Sequence, residues 1–249
     1  MNESELIFKF LSLIKIRKPG ILIDVGAHIG NSLKQFANNG WRVFAFEPDK
    51  ENFKALKNNY INNEKVVCFR NAISDSDGYI KFFISNKYWG INSIKPFDKT
   101  HSSWIKVKSI KLKTFINEHK LKKIDFLKID IEGADYLALK GMDFSRCKPI
   151  MVMCEFMDSR SKPFFNYDHH DMVKYMDKYG YTAYIFEWSE IIGGYSEKGV
   201  NKGVTTRFVK YEKYPSKSKL YWGNVVFVRN KLAWFFDLFS NWYIKRLGL

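Results

Sequence analysis

Cysteine is scarce: there are three in 249 residues, an odd number. That excludes a disulfide framework. Cys68, Cys147 and Cys154 form no C-x-x-C pair, so a zinc ribbon is excluded with it. A reducing, cytoplasmic setting fits this usage. No run of about 18 apolar residues occurs, which leaves no candidate for a transmembrane helix. The first residues do not make a signal peptide, since Glu3 and Glu5 replace a basic start and Lys9 and Lys15 interrupt the apolar stretch. Acidic residues are outnumbered 26 to 41 by Lys and Arg, for a net charge of +15. Such an excess points to an anionic neighbour: an acidic or phosphorylated substrate, a nucleic acid or a membrane surface. The plain alternative is scattered lysine that keeps an aromatic-rich chain in solution.

What is abundant is material for a core, with 46% hydrophobic and 17% aromatic residues. Residues 3–17 read as an apolar-rich helix that Pro19-Gly20 ends. Strand and helix patterns then alternate. Short apolar runs at 21–25, 42–46, 65–72, 124–129 and 149–155 read as buried parallel strands. Helices are expected at 29–39, from Pro48 to about Asn59, and at 168–179. Residues 79–84, after the turn at Ser76-Asp77-Gly78, read as a hairpin partner, 104–112 as a half-exposed edge strand, and 114–119 as a short helix. The last two strands, 181–186 and 224–228, have no helical pattern between them and are expected to pair antiparallel. The fold class expected is α/β, Rossmann-like and doubly wound: a mostly parallel seven-stranded sheet, the last strand antiparallel, with helices on both faces. The organisation expected is an N-terminal helix over 1–19, the main domain over 20–230, and an aromatic, basic helix or tail over 231–249.

Ligands of such sheets bind where the strands' C-terminal ends meet the loops, and the motifs sit there. Asp24-Val25-Gly26-Ala27-His28-Ile29-Gly30 joins the first strand to a helix. Glycines permit close backbone approach, and the helix start offers N–H groups to a carboxylate. The spacing is G-x-x-x-G rather than G-x-G-x-x-G, which disfavours a nicotinamide enzyme. Glu47, followed by Pro48, ends the second strand, where an acid can hold both ribose hydroxyls of a nucleoside. Asn71-Ala72 ends the third. The fourth ends in Asp130-Ile131-Glu132-Gly133, two carboxylates expected on one face of the strand. Glu155 closes the fifth at the same edge.

In this order the motifs resemble the FkbM-type methyltransferases, over about residues 20–230. The matching stretches are IDVGAHIG (23–30), FEP (46–48), NAISDSDG (71–78), VKSIKL (107–112), LKIDIEGADYLALKG (127–141), Glu155 and WGNVVFV (222–228). The resemblance implies transfer of a methyl group from S-adenosylmethionine (SAM) to a hydroxyl, usually on a sugar or polyketide-like molecule. It implies that Asp24, Gly26, Ala27, His28, Gly30 and the adjoining Asn31 line the methionine side of SAM. Glu47 with Pro48 would hold the ribose, Asn71 and Ala72 would face adenine, and Asp130 and Glu132 would stand beside the methyl. His28 replaces the Asn common in the family, and Asp135 the usual Glu.

An alcohol is a poor nucleophile at neutral pH, so a general base is expected. Glu132 is the first candidate, Asp130 the second and Glu155 the third; Asp130 has the alternative task of holding the SAM amino group. The three acids also form a conceivable divalent-cation site, although their spacing does not require a metal. Two segments are expected to wall in the acceptor, a sugar or glycan and, given the charge, an anionic one. One is 86–103, with Tyr88, Trp89 and nearby Trp104; the other is 189–221, with Lys198, Lys202, Arg207, Lys210, Lys213, Lys217 and Lys219. The competing readings are an RNA ribose 2′-O-methyltransferase using Lys128, Asp130 and Glu155, and a non-catalytic scaffold. No separate RNA-binding module is visible, and no D/N-P-P-Y/F motif follows the fourth strand to suggest base methylation. The tail 231–249 has three possible uses: packing on the N-terminal helix, pairing with a second copy, or lying on a membrane as a peripheral contact.

Overall fold

The computed structural model describes residues 2–15, 18–88, 90–189, 207–216 and 222–249. After a first helix, α1 (Glu3–Ile14), the chain alternates as expected: β1 (Ile21–Val25), α2 (Lys34–Asn38), β2 (Arg42–Phe46), α3 (Lys50–Asn59) and β3 (Val66–Phe69). A small excursion follows through β4 (Ala72–Ile73), β5 (Gly78–Ser85) and β6 (His101–Ile110). The main sheet resumes after α4 (Leu112–Glu118) with β7 (Phe126–Ile129), α5 (Asp135–Lys140), β8 (Met151–Phe156), α6 (Asp158–Phe165), α7 (His169–Asp177) and β9 (Tyr181–Trp188). The chain ends with β10 (Phe208–Lys213), β11 (Trp222–Arg229) and α8 (Asn230–Arg246).

The main sheet has the order β10-β9-β11-β8-β7-β1-β2-β3. Strands β3, β2, β1, β7 and β8 are parallel neighbours, whereas β11 runs antiparallel between β8 and β9. This is the doubly wound, Rossmann-like α/β architecture, with the last strand reversed. Its central strands are apolar on both sides because both sides are covered. In β1, Ile23 and Val25 join one core cluster with Phe44, Leu127 and Val152, while Leu22 joins the other with Val43, Phe126 and Met151. Helices α4, α5 and α7 contribute to the first cluster, and α1, α2 and α8 to the second. Both ends of the chain therefore close the same face of the sheet.

The structure departs from the expected boundaries in several places. The expected third strand over 65–72 divides, because Ala72–Ile73 leaves the main sheet to pair with Ser109–Ile110 in a three-stranded sheet ordered β4-β6-β5. The helix expected over 29–39 is confined to Lys34–Asn38, since His28 (φ 50°) and Gly30 (φ 92°) hold the preceding segment in a turn. Strand β10 adds an eighth, edge strand beside β9 where a loop was expected; its F-V-K-Y-E-K run mixes charge and aromatics. Lys198, Lys202, Lys217 and Lys219 of that expected loop, and Trp89 of the other, lie outside the described residues. Helix α6 was not expected, because Pro163 inside it reads as a stop. Residues 230–246 form a helix that packs on α1: Phe10 meets Phe236 edge-on at 5.1 Å. No described helix is long and apolar enough to cross a membrane.

Candidate active site

The ends of β1, β2 and β7 converge. Gly26 and Ala27 donate their backbone N–H groups to the Phe46 carbonyl at 3.0 and 2.9 Å, which binds the glycine turn to the end of β2. On its other side the turn touches the one after β7. Gly26 has φ +80°, and a Cβ there would stand 1.9 Å from the Asp130 carbonyl oxygen. Only glycine permits that contact. His28 and Glu132 hold left-handed backbone at φ 50° and 58°. Strain of this kind concentrates where a site needs unusual geometry.

A cavity of about 240 Å³ opens against these turns. Gly26 and His28 line it on one side, Glu47, Pro48 and Asn52 on a second, and Asp130, Ile131 and Glu132 on a third. Phe82 of β5 and Gly90 and Asn92 from the β5–β6 connection complete the wall. It adjoins a narrow, mainly apolar slot lined by Phe46, Asn71, Ala72, Phe82, Ile94 and Ile131. The two spaces share Gly26, Pro48, Phe82 and Ile131. Gly90, Asn92 and Ile94 belong to the 86–103 segment expected to wall the site, whereas Phe82 of β5 was not expected there.

Glu47 is almost fully buried. Its Oε2 accepts from the His28 backbone N–H and its Oε1 from the Asp49 N–H, both at 2.9 Å. Burial pushes its carboxyl up to about 7, against those two stabilising bonds. Asn52 was not singled out in the sequence. It is 4% exposed, and its Oδ1 has no hydrogen-bond donor among the described residues. An orphaned buried acceptor on a cavity wall calls for a donor from a ligand. Burial lowers the pKa of His28, more than Asp130 and Asp49 raise it, so its imidazole is neutral at pH 7.

Asp130, Glu132 and Glu155 come together, with one oxygen of each within 4.8 Å of the others. They do so for a reason other than the one expected. Strand β7 stops at Ile129, so Asp130 and Glu132 do not share a strand face; the turn folds them together. The Tyr167 hydroxyl, donating to the Gly133 carbonyl at 2.7 Å, and the Ser93 hydroxyl, donating to the Glu132 carbonyl at 3.2 Å, pin that turn. Arg160 of α6, hidden from sequence reading by the same Pro163, forms an ion pair with Glu132 and lies 4.0 Å from Glu155. Its guanidinium rests 4.1 Å above the Phe97 ring. Burial raises the Glu132 carboxyl well above the usual carboxylate range despite Arg160, and neighbouring Glu155 and Asp130 add to the rise. Burial and Asp130 push Glu155 up to about 7, with Arg160 and a 2.7 Å bond from the Trp222 indole opposing.

Several expected site residues stand away from the cavity. Asp24 is fully buried; it accepts from the Ser32 hydroxyl at 2.6 Å and pairs with Lys128 at 3.4 Å. Ala27 belongs to the core, Gly30 presses on Leu56 and Tyr60, and Asn31 is exposed to solvent. The reason is strand alternation: Asp24 points to the opposite side of β1 from Ile23 and Val25. Lys128 is sealed between Asp24 and Asp130, 3.1 Å from the latter. Burial works to lower its pKa, but the two carboxylates outweigh it and hold the ammonium above the ordinary lysine range. His169 bonds Asp158 at 2.8 Å and His170 the Tyr214 hydroxyl at 2.6 Å, so both serve α7 and its neighbours.

Among known proteins, the chain is 25% identical over 166 residues to a 2-O-methyltransferase, NoeI, of Sinorhizobium fredii, covering 60% of this chain and 68% of that one. Among solved structures it is similar to magnesium protoporphyrin IX methyltransferase of Synechocystis PCC 6803 with bound SAM (TM-score 0.45, 11% identity, 91% of this chain and 78% of that one). An rRNA methylase of Streptococcus thermophilus is also similar (TM-score 0.45, 8% identity, 91% and 93%). The model described as the methyltransferase FkbM domain matches residues 24–183, more than half of the chain, and the protein belongs to that methyltransferase family.

Proposed function

We propose that the protein is a SAM-dependent O-methyltransferase acting on a hydroxyl of a sugar or glycan. The observation that carries this reading is the cleft itself: a space bounded by the glycine turn and Glu47 opens directly onto the Asp130–Glu132–Glu155 cluster. The residues suit SAM. Glu47 keeps lone pairs for ribose hydroxyls, the Asn52 Oδ1 lacks a donor, and the slot beside Asn71 and Ala72 is narrow and apolar, as a purine ring requires. Gly26, His28 and Asp130 form the methionine side. Asp24, Ala27, Gly30 and Asn31 shape the turn rather than touch the cofactor. The relative that is a 2-O-methyltransferase supports an oxygen acceptor.

When bound, SAM supplies an electrophilic methyl group on a good leaving group. The protein's share is to align the acceptor oxygen and remove its proton. Alignment contributes several orders of magnitude in reactions of this kind. Glu132 takes the proton, and Arg160 positions its carboxylate. Lys128 holds Asp130 toward the methionine amino group. The acid trio offers three oxygens to a divalent cation, but Arg160 already supplies positive charge there.

The small sheet turns Phe82 toward the cleft and its other face outward. Strand alternation places Tyr79, Lys81 and Phe83 of β5 opposite Lys108, Lys106 and Trp104 of β6. Lys81 lies over Trp104 and Lys106 over Tyr79, each 4.7 Å from the ring centre.

Calorimetric titration with SAM and, separately, NAD tests the class. Methyl transfer from labelled SAM to a panel of glycans, with RNA as control, tests the acceptor. Binding of SAM is expected, and binding of NAD is not; a folded sample that binds neither overturns the reading. Glu47→Ala is expected to weaken SAM binding about tenfold or more, the worth of charge-assisted hydrogen bonds to the ribose. Unchanged affinity by the same titration would remove Glu47 from the cofactor site.

A further inference from the structure

We propose that α8 docks the protein on an anionic lipid surface. The helix buries one side: Ala233, Phe236, Ser240, Tyr243 and Ile244 face α1 and the sheet. Its opposite side should then be polar, and it is not. Trp234, Leu238 and Trp242, four residues apart and so on one stripe, are 75%, 51% and 52% exposed. Leu247 and Leu249 continue the stripe past the helix end, and Leu13 of α1 is exposed across the groove between the two helices. That groove encloses about 1470 Å³, and most of its lining is apolar. It lies apart from the reaction cleft and holds none of its acids.

Charge selects the occupant. Lys231, Lys245 and Arg246 are exposed on the same helix. Arg246 lies 5.5 Å from the Trp242 ring centre. The helix's single acid, Asp237, accepts from the Tyr211 hydroxyl at 2.8 Å and turns toward β10. The groove-lining Glu5 is paired with Lys9 at 2.8 Å, and tryptophan and leucine bordered by cations is the composition that lies in the plane of an anionic interface. A second copy on this face would bring two sets of these cations together, in chains that each carry +15. The helix is too short and too polar to span a bilayer, so it lies on one. The N-terminus of α1 lies near the reaction edge, where Glu3 bonds Trp188 and Asn224. The Tyr243 hydroxyl is 3.3 Å from Glu5. Docking through the end of α8 therefore holds that edge close to the lipid surface.

Co-sedimentation of the full chain with vesicles tests this. Vesicles of phosphatidylcholine with phosphatidylglycerol are expected to bind the protein at least about tenfold more tightly than phosphatidylcholine alone. The triple variant Trp234→Ala, Leu238→Ala, Trp242→Ala should lose that binding while keeping its thermal midpoint, since the three side chains are exposed. The single variant Trp234→Ala, with the most exposed ring, should lose part of it. Lys245→Gln and Arg246→Gln should each weaken it roughly fivefold, and salt should do the same. Equal binding by wild type and triple variant, or no binding to either vesicle, overturns the proposal. So does a wild-type dimer in sedimentation equilibrium that the triple variant dissolves, because the face would then belong to a second copy.

Discussion

Glu132→Gln is expected to lower kcat by roughly 10²- to 10⁴-fold, the usual worth of a general base, while SAM affinity stays close to that of the wild type. The substitution keeps shape and one oxygen but removes the site that accepts the proton. Glu132 suits the task because burial and two neighbouring carboxylates raise its proton affinity, while Arg160 keeps the charged form accessible. The pH dependence has a fixed sign. A base works deprotonated, and burial raises the Glu132 carboxyl well above the usual carboxylate range, so kcat/KM rises with pH above that range instead of reaching its plateau near pH 5. A pH–rate profile of wild type and Glu132→Gln checks both statements. A flat profile from pH 5.5 upward, or full turnover by the variant, would remove Glu132 from the role.

The second large effect is expected at Gly26. Gly26→Ala adds one carbon that would lie 1.9 Å from a backbone oxygen, at φ +80°. The backbone preference alone costs about 1–2 kcal/mol. The overlap forces apart the turns after β1 and β7, which carry His28 on one side and Asp130 and Glu132 on the other. A displacement of 1 Å at such a point costs about a hundredfold in rate. Loss of at least that much turnover is expected, with a lowered thermal midpoint. Gly78→Ala is the control: its φ is +129° but nothing lies within 4 Å, so it should carry the backbone cost without the loss of turnover. Wild-type kinetics in Gly26→Ala would mean that the two turns do not meet as described.

The sheet was legible because its central strands are short apolar runs, with β1 and β2 bounded as the sequence suggested. The turns at the reaction edge were legible because glycine and carboxylates in those places are costly without a purpose. What strand ends do not reveal is direction. Asp24 and Glu47 read as equals, yet alternation sends Asp24 under Ser32 and Lys128, while Glu47, one residue past β2, reaches the cavity. Arg160 escaped notice because its helix contains Pro163, and Asn52 because nothing local marks a helical asparagine as a cavity residue. Residues 79–84 were expected as a hairpin partner and 104–112 as an edge strand; that they pair with each other and with β4 depends on β4 leaving the main sheet, a long-range event with no local signature.

The arrangement of the two terminal helices also constrains how the molecule is made. Phe10 lies among Phe235, Phe236 and Phe239, and Lys9 donates to the Tyr243 hydroxyl across 234 positions of sequence. Helix α1 thus waits for α8, made long after it, before this part of its apolar side is covered. Contacts so distant in sequence close late and slowly, and until they close, Leu6 and Phe10 are open to other chains. A chain interrupted before residue 230 would lack the cover of α1, and its fate would be decided by chaperones and proteases rather than by the sheet that it had already formed.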